Sequence, residues 1–386
     1  MTASSSQGFG LIGTGFMGRA HAIALGSVAR VFGGIAAPRC VAVADSDAAR
    51  AEAAARDLGF ERGTDDWHEL LDDERIDVID ICTPNHLHAE MALAAIRAGK
   101  HVYCEKPLAL DVEEAATLAG AAAAAGVVHA VGLNYTTNPL LGVARDMIAA
   151  GEIGEPMAFS GRYFEDYMTS PDVPFSWRCE RRLAGSGALA DLGSHLINLL
   201  HFLLGRPRRL VADLKTLVPL RRDPATGEQR RVENEDVARA LIELDSGLPA
   251  TFEISRIATG YKCGLTFEVS GTKGAIAFDQ ERMNELRVYD AKAAAGGRGF
   301  RTILAGPEHG DYGRFCPAPG HGLGINDLKV IEIHRLLVAI RDRTPFWPDF
   351  AEGLAVQRVM AAMEASSEAR GWVTLDWDDA LSGEAA

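Results

Sequence analysis

The sequence predicts an α/β domain with a doubly wound parallel sheet, followed by an α+β domain with a mostly antiparallel sheet. Three observations carry that prediction. A short apolar strand at 8–12 runs into GTGFMG and then a helix. Apolar strands and helices alternate from there to residue 134. After Gly154 the spacing shortens to closely set strand-like runs. Strand–helix alternation implies crossover connections, hence parallel strands covered on both faces, whereas close hairpin spacing gives antiparallel pairs. The chain has 386 residues, more than the ~250–300 at which a single core stops growing, so two domains are expected. Their boundaries read as 1–134 and 135–386.

The elements follow in order. GFGLI is the first strand, and GTGFMG at 13–18 is G-x-G-x-x-G opening a helix from Phe16 to about Ala29. Gly13 permits the tight turn, Gly15 lets the backbone approach a pyrophosphate, and Gly18 lets helix and strand pack closely. Thr14, Phe16 and Met17 complete the turn, and the helix start offers N–H groups to phosphate. CVAVAD at 40–45 is a second strand ending in Asp45. An acid there accepts both ribose hydroxyls and repels a 2′-phosphate. No arginine follows it immediately, so NAD is favoured over NADP. Ser46 or Asp47 can cap the next helix, which leaves Asp45 for the ribose.

Ala48–Leu58 and Trp67–Leu71 read as helices. IDVIDICTP at 76–84 is a strand stopped by Pro84, and His86–Ala98 is a helix closed by Gly99. HVYCEK is a further strand. Asp111 with Glu114 starts an alanine-rich helix in the manner of a capping box, and VVHAVGLN at 127–134 is the last strand of the series. Ligands of open parallel sheets bind beyond the carboxyl ends of the strands. Three strand ends carry polar groups: Thr83, Asn85 and His88; Glu105 and Lys106; Asn134 and Tyr135. A charged pair at the end of a buried strand is explained if a ligand lies there, with Pro107 setting the turn, through a cis bond as one possibility.

In the second half EPMAFSGRYF, VARALIELDSG, PATFEISR, LTFEVSGTKGAIAF and ELRVYD are the strand-like runs, with GTKG at 271–274 as a hairpin turn. Helices are expected near 188–204, 327–341 and 351–370. In SGALADLGSHLINLL, Asp191 and His195 stand i,i+4 on one helix face. A carboxylate beside an imidazole raises its pKa and orients it, which is an acid–base arrangement. Gly185 and Gly187 suit a loop passing close to a ligand. Tyr163, Glu165, Asp166, Tyr167 and Trp177 mix aromatic faces with acceptors, as a polyhydroxylated ring requires and as an exposed sheet also shows. Tyr135 and Arg256 are second candidates.

Composition narrows the classes. The net charge of −14 argues against nucleic acid and anionic lipid as partners. The basic cluster Arg221, Arg222, Arg230, Arg231 is broken by acids and reads as a solvated loop. Six scattered cysteines form no C-x-x-C, there is no H-E-x-x-H, and no metal is expected. The opening MTASSSQ lacks a basic apolar leader, and no window reaches the ~20 apolar residues of a membrane helix. A cytoplasmic setting is the expectation.

GTGFMG, CTPNHLHAE, GKHVYCEKPLAL and GALADLGSHLINLL together resemble the glucose–fructose oxidoreductase / inositol dehydrogenase (Gfo/Idh/MocA) family over nearly the whole chain. The resemblance implies an NAD-binding Rossmann domain at 1–134. It also implies a substrate-binding α+β domain at 135–386 whose large open sheet assembles homodimers or homotetramers. Lys106, Asp191 and His195 match the family's catalytic residues. Thr83, Pro84, Asn85, His88, Glu105, Lys106 and Asn134 match cofactor contacts, and Trp177 with Arg178 a pair that reaches the nicotinamide half. PFSWR, RGFRTILAGPEHGDYG and PAPGHGLGINDLKVIE resemble members that oxidise the C3 hydroxyl of glycosides. Thr136 and Asn198 stand where the family often has Arg and Asp, so the substrate need not carry over. Tyr135, Tyr163, Asp166 and Asn198 are the substrate candidates. The implied reaction is oxidation of a sugar, anhydrosugar, glycoside or inositol hydroxyl, with Lys106 and His195 meeting at the nicotinamide and either one able to take the proton. A redox glycosidase that retains NAD and a non-catalytic nucleotide sensor are the alternatives.

Overall fold

The computed structural model describes residues 6–377; most of the opening MTASSSQ lies outside them. By packing, the chain divides into two units. One runs to Asn134 and takes in Gly324–Ala355; among the described residues the other holds Tyr135–Leu323 and 356–377.

The first unit is built on β1 (Gly8–Ile12), α1 (Phe16–Phe32), β2 (Arg39–Ala44), α2 (Ala48–Leu58), β3 (Arg62–Thr64), α3 (His68–Asp72), β4 (Val78–Ile81), α4 (His88–Arg97), β5 (His101–Cys104), α5 (Val112–Ala125) and β6 (His129–Val131). The strands pair in parallel in the order β3-β2-β1-β4-β5-β6, and β1 and β4 are buried along their whole length. Strands covered on both faces read as continuous apolar runs, which is why this half was legible as alternation. The strand order reverses between β1 and β4, and that is where such sheets bind ligands. Asp111 caps α5 by accepting from Glu114 N at 2.9 Å, and Glu114 reaches back to Leu110 N at 3.1 Å.

The second unit contains α6 (Pro139–Ala149), β7 (Pro156–Phe164), α7 (Arg181–Ala184), α8 (Ser194–Leu204), β8 (Pro207–Lys215), β9 (Leu220–Arg222), β10 (Gln229–Arg231), β11 (Val237–Leu244), β12 (Pro249–Ser255), β13 (Gly264–Gly271), β14 (Gly274–Asp279), β15 (Glu285–Asp290), β16 (Phe300–Leu304) and α9 (Tyr312–Phe315). α10 (Ile325–Asp342), α11 (Phe350–Ala369) and β17 (Val373–Thr374) follow. A nine-stranded sheet runs β16-β15-β14-β13-β7-β12-β11-β8-β17, and β9 with β10 forms a separate ribbon. Its pairings are antiparallel except β7 with β12. Along β11, Ala238, Ala240 and Ile242 are buried while Arg239 and Leu241 face out, the alternation of a sheet with one open face.

Two expectations change. The segment from Gly324 to Ala355 belongs to the first unit, where α10 packs on α1. The helical stretch Arg181–Leu204 is long and apolar enough to cross a membrane by length and composition, but 78% of its 18-residue apolar window is buried; in this fold it is core.

Candidate functional site

In the first unit the glycine turn is shaped for a nucleotide. Gly13 sits at φ +99°, and a β-carbon there would lie 2.6 Å from Cys82 O. One on Gly18 would lie 2.1 Å from Gly13 O, whereas one on Gly15 would meet nothing within 4 Å. Gly13 and Gly18 are therefore consumed by packing, and Gly15 borders open space. No side chain caps the start of α1, so its N–H groups are available to a pyrophosphate. Gly15→Val should leave the melting temperature within about 2 °C and weaken NADH binding at least about tenfold, since it obstructs the cradle without touching the core; calorimetric melts and NADH titration check both.

Asp45 closes the crossover after β2. Its Oδ2 accepts from Thr14 Oγ1, and its Oδ1 from Arg50 Nε at 3.0 Å. Burial alone would raise its pKa, but the bonds from Thr14 and Arg50 prevail and lower it. Phe16 is exposed beside the turn and Met17 half-buried. Thr83, Pro84 and Asn85 cross from β4 into a short 3-10 turn, all partly accessible. His88 is buried behind them. Its Nδ1 lies 2.7 Å from Pro107 O and its Nε2 3.0 Å from Thr83 O, so it braces the two strand-end loops against each other. The Lys106–Pro107 bond is cis.

Glu105 points inward. Its carboxylate accepts from Lys329 Nζ at 2.6 Å, His21 Nε2 at 2.9 Å and Lys106 N at 3.2 Å. His21 Nδ1 in turn lies 2.8 Å from Asp80, and the His21 ring stacks on Tyr103 at 4.6 Å. Lys329 also pairs with Glu332 at 3.0 Å, which accepts from the Tyr103 hydroxyl. Burial opposes ionisation of Glu105, yet Lys329 and His21 hold it well below the usual carboxylate range. Burial likewise opposes a charged His21, but Asp80 and Glu105 outweigh it and Lys329, and its pKa is pushed up to about 9. Burial raises Glu332, against the opposing pull of Lys329 and the Tyr103 hydroxyl. The charged pair at the end of β5 thus has two jobs. Glu105 anchors the turn in a buried ionic cluster, and Lys106 is the residue the turn carries. Cys82 lies with His21 and Asp80 inside 4.8 Å, but both His21 nitrogens already face carboxylates, and burial raises the Cys82 thiol well above its ordinary value.

The cluster makes stability pH-dependent. A histidine whose folded pKa lies above its unfolded value of about 6.5 adds stability in full below that value and loses it as pH rises toward the folded pKa. The His21 contribution should therefore shrink from about pH 6.5 and vanish above about 9. Thermal melts across that window should show the decline in wild type and a flatter profile in His21→Asn.

In the second unit Asp191 lies in a π-helical turn, Leu189–Gly193, that runs directly into α8. Such turns recur at functional sites. Asp191 Oδ2 accepts from the Tyr167 hydroxyl at 2.6 Å. His195 is largely buried, and its ring stacks on Tyr135 at 4.3 Å. The Tyr135 hydroxyl lies 2.8 Å from that of Tyr163, which donates to Glu165 at 2.9 Å. Asn198 is buried one turn beyond His195. Asp166 is committed elsewhere: it accepts from Gly260 N at 3.1 Å and pairs with Lys262 at 2.6 Å. The Arg178 guanidinium covers the Trp177 ring at 4.5 Å.

Behind these residues is a buried scaffold. Arg256 is 1% exposed. It pairs with Asp236 at 2.9 Å, donates to Asn234 at 3.0 Å and lies 3.4 Å from Arg178 O. Glu235 accepts from Leu189 N at 2.8 Å, so the same segment ties the Trp177–Arg178 pair to the Asp191 turn. Arg256 is therefore scaffold, not a contact for a ligand. Gly187 has the same explanation: a β-carbon would lie 2.1 Å from Glu235 O and 2.9 Å from Arg256 Nη1. Arg221, read as solvated, is fully buried and donates to the carbonyls of Met168, Ser170 and Val173, which holds the loop carrying Tyr167. Sequence reasoning missed Lys329, Glu332, His21, Asp80 and Arg50. The visible signal for the first two was a lysine and a glutamate i,i+3 inside the apolar stretch LKVIEI.

Comparisons with known proteins follow the same lines. The family described as "Oxidoreductase family, NAD-binding Rossmann fold" (Gfo/Idh/MocA) matches residues 8–133, and the GFO/IDH/MocA C-terminal domain matches 143–277. Levoglucosan dehydrogenase of Pseudarthrobacter phenanthrenivorans is 38% identical, with 94% of this chain and 97% of that protein covered. Solved structures agree. Levoglucosan dehydrogenase in complex with NADH and L-sorbose superposes with a TM-score of 0.94 at 38% identity, covering 96% of this chain and 99% of that one. An NAD binding oxidoreductase from Klebsiella pneumoniae superposes at 0.93 with 44% identity, covering 97% and 100%.

Proposed function

We propose that this chain, which belongs to the Gfo/Idh/MocA oxidoreductase family and binds NAD, oxidises a secondary hydroxyl of a sugar, anhydrosugar, glycoside or inositol to a ketone. The observation that carries the reading is the π-turn that holds Asp191 on a tyrosine hydroxyl four residues before His195. It occurs in a chain like levoglucosan dehydrogenase, which has been solved with NADH and levoglucosan. The coenzyme would be held by the glycine turn, Asp45 and the Thr83–Asn85 corner, with Asn134, Trp177 and Arg178 as further contacts. When bound, it supplies the hydride acceptor.

The protein's own part is placement and proton handling. His195 takes the proton of the hydroxyl being oxidised. Asp191 orients the imidazole and favours its cationic form. Asp191 is itself fixed by Tyr167, so it need not reorganise as charge appears. Lys106 donates a hydrogen bond to the same oxygen and stabilises its developing negative charge, as preorganised donors do. Tyr135 and Tyr163 are candidate sugar contacts beside His195. The outward face of the nine-stranded sheet, with exposed Leu241 among Arg162, Arg239, Glu253 and Glu268, is the proposed homo-oligomer surface, and the proposed setting is the cytoplasm.

Purified protein with NAD, screened against sugars, inositols and anhydrosugars by the absorbance of reduced nicotinamide, tests the reading. Net NADH with one of these classes supports it. Release of sugar from a glycoside without net NADH would assign the redox-glycosidase alternative instead.

A further inference from the structure

His21 sits on α1, the helix that opens at the glycine turn, about 7.5 Å along the axis from its first residue Phe16. The side chain is fully buried. Its Nδ1 lies 2.8 Å from Asp80 of β4, and its Nε2 lies 2.9 Å from Glu105 at the end of β5. Carboxylate oxygens accept, so each ring nitrogen must donate, and only the imidazolium carries two N–H groups. One side chain therefore ties the helix to two strand ends, and it does so as a cation. The Asp80 attachment underlies the glycine turn itself. Two residues on is Cys82, whose carbonyl would be 2.6 Å from a β-carbon on Gly13 and whose Sγ is 3.3 Å from His21 Nδ1. The Glu105 attachment fills space left by Gly132, just beyond β6, where a β-carbon would come within 2.5 Å of Oε1.

We propose that His21 is a positioning residue for the coenzyme: its cationic ring locks the helix that cradles the pyrophosphate to the ends of β4 and β5, and NADH affinity falls where the ring gives up one N–H. A neutral ring turns a lone pair toward one buried carboxylate. That pushes α1 away from a strand end and displaces the N–H groups that face the pyrophosphate. The titratable and charged groups around the ring are Asp80 and Cys82 from β4, Tyr103 and Glu105 from β5 and its end, and Lys329, with Glu332 behind it, from α10. Burial and then the nearby carboxylates push the Cys82 thiol and the Tyr103 hydroxyl well above their ordinary values. Burial opposes a charged Lys329, but Glu105 and Glu332 prevail and raise it. His21, at about 9, gives way first. The cation is the positioning form, so affinity is full below that pH and is lost above it.

The inference rests on the glycine turn as the pyrophosphate cradle, on which Gly15→Val reports separately, and it is independent of the substrate reading. NADH titrations followed by nicotinamide fluorescence compare wild type with His21→Asn, and melting curves report folding at each pH. In wild type Kd should stay level to about pH 8 and rise about threefold or more by about pH 10, whereas His21→Asn should start weaker and stay level. Linkage is reciprocal, so saturating NADH should raise the midpoint of the His21 ring titration by the equivalent of that factor, read by NMR of isotope-labelled histidine. A purely structural role would lower the melting temperature with pH and move neither readout. A wild-type Kd that stays level overturns the proposal, as does the same rise in His21→Asn. Should His21→Asn not fold, the ring titration of wild type with and without NADH decides, and an unmoved midpoint overturns the proposal.

Discussion

Lys106→Met and His195→Ala should each lower kcat by about 10²–10⁴-fold, the range of a positioned proton-transfer group, while NADH still binds. His195 lies in α8 of the second unit, stacked on Tyr135, whereas the glycine turn belongs to the first. Lys106 is carried on a turn anchored by Glu105, so its own side chain can be shortened without dismantling the anchor. The two roles separate by pH. The variant lacking the proton acceptor loses the acid limb of the rate profile, since that limb reports protonation of the missing group. The variant lacking the donor keeps the limb at reduced height. Wild-type turnover in either variant removes that residue from the mechanism.

Lys329→Met should cost about 3–5 kcal/mol of stability, the usual consequence of leaving a buried charge unpaired. Lys329 Nζ is 2.6 Å from Glu105 and 3.0 Å from Glu332, and it is 1% exposed. Removing it leaves the buried Glu105 with His21 and the Lys106 backbone N–H. The double variant Lys329→Met/Glu105→Gln should recover part of the loss, because neither charge is then orphaned. Urea denaturation of the single and double variants measures both. A loss below about 1 kcal/mol, the scale of a surface pair, would mean the cluster does not hold the strand-end turn.

The parts of this structure that were legible in the sequence are those set by local pattern. Parallel strands buried on both faces appear as apolar runs, and the glycine turn appears as spacing. The i,i+4 reading of Asp191 and His195 assumed one regular α-helix, whereas Asp191 lies in a π-helical turn and His195 in the α-helix that follows it. The rest depends on contacts that sequence distance hides. Lys329 meets Glu105 across 224 positions, so the sequence shows only a lysine in an apolar helix, and α10 was accordingly assigned to the wrong unit. Arg221 read as solvated because its neighbours are charged, yet it is the inward residue of β9, between two exposed ones. Gly187 read as ligand-facing because a glycine lets a loop pass close to a ligand, and Arg256 read as a second contact; they face each other instead.

Deuterium tracing tests the central claim most directly. A sugar or inositol that passes the activity screen, deuterated at the carbon being oxidised, is incubated with the enzyme and NAD, and the products are analysed by mass spectrometry. Recovery of the deuterium in reduced nicotinamide, with one ketone formed per NADH, is the predicted result. Ketone formation with the deuterium released to water, or bond cleavage with no label in the coenzyme, would contradict hydride transfer from a secondary carbinol.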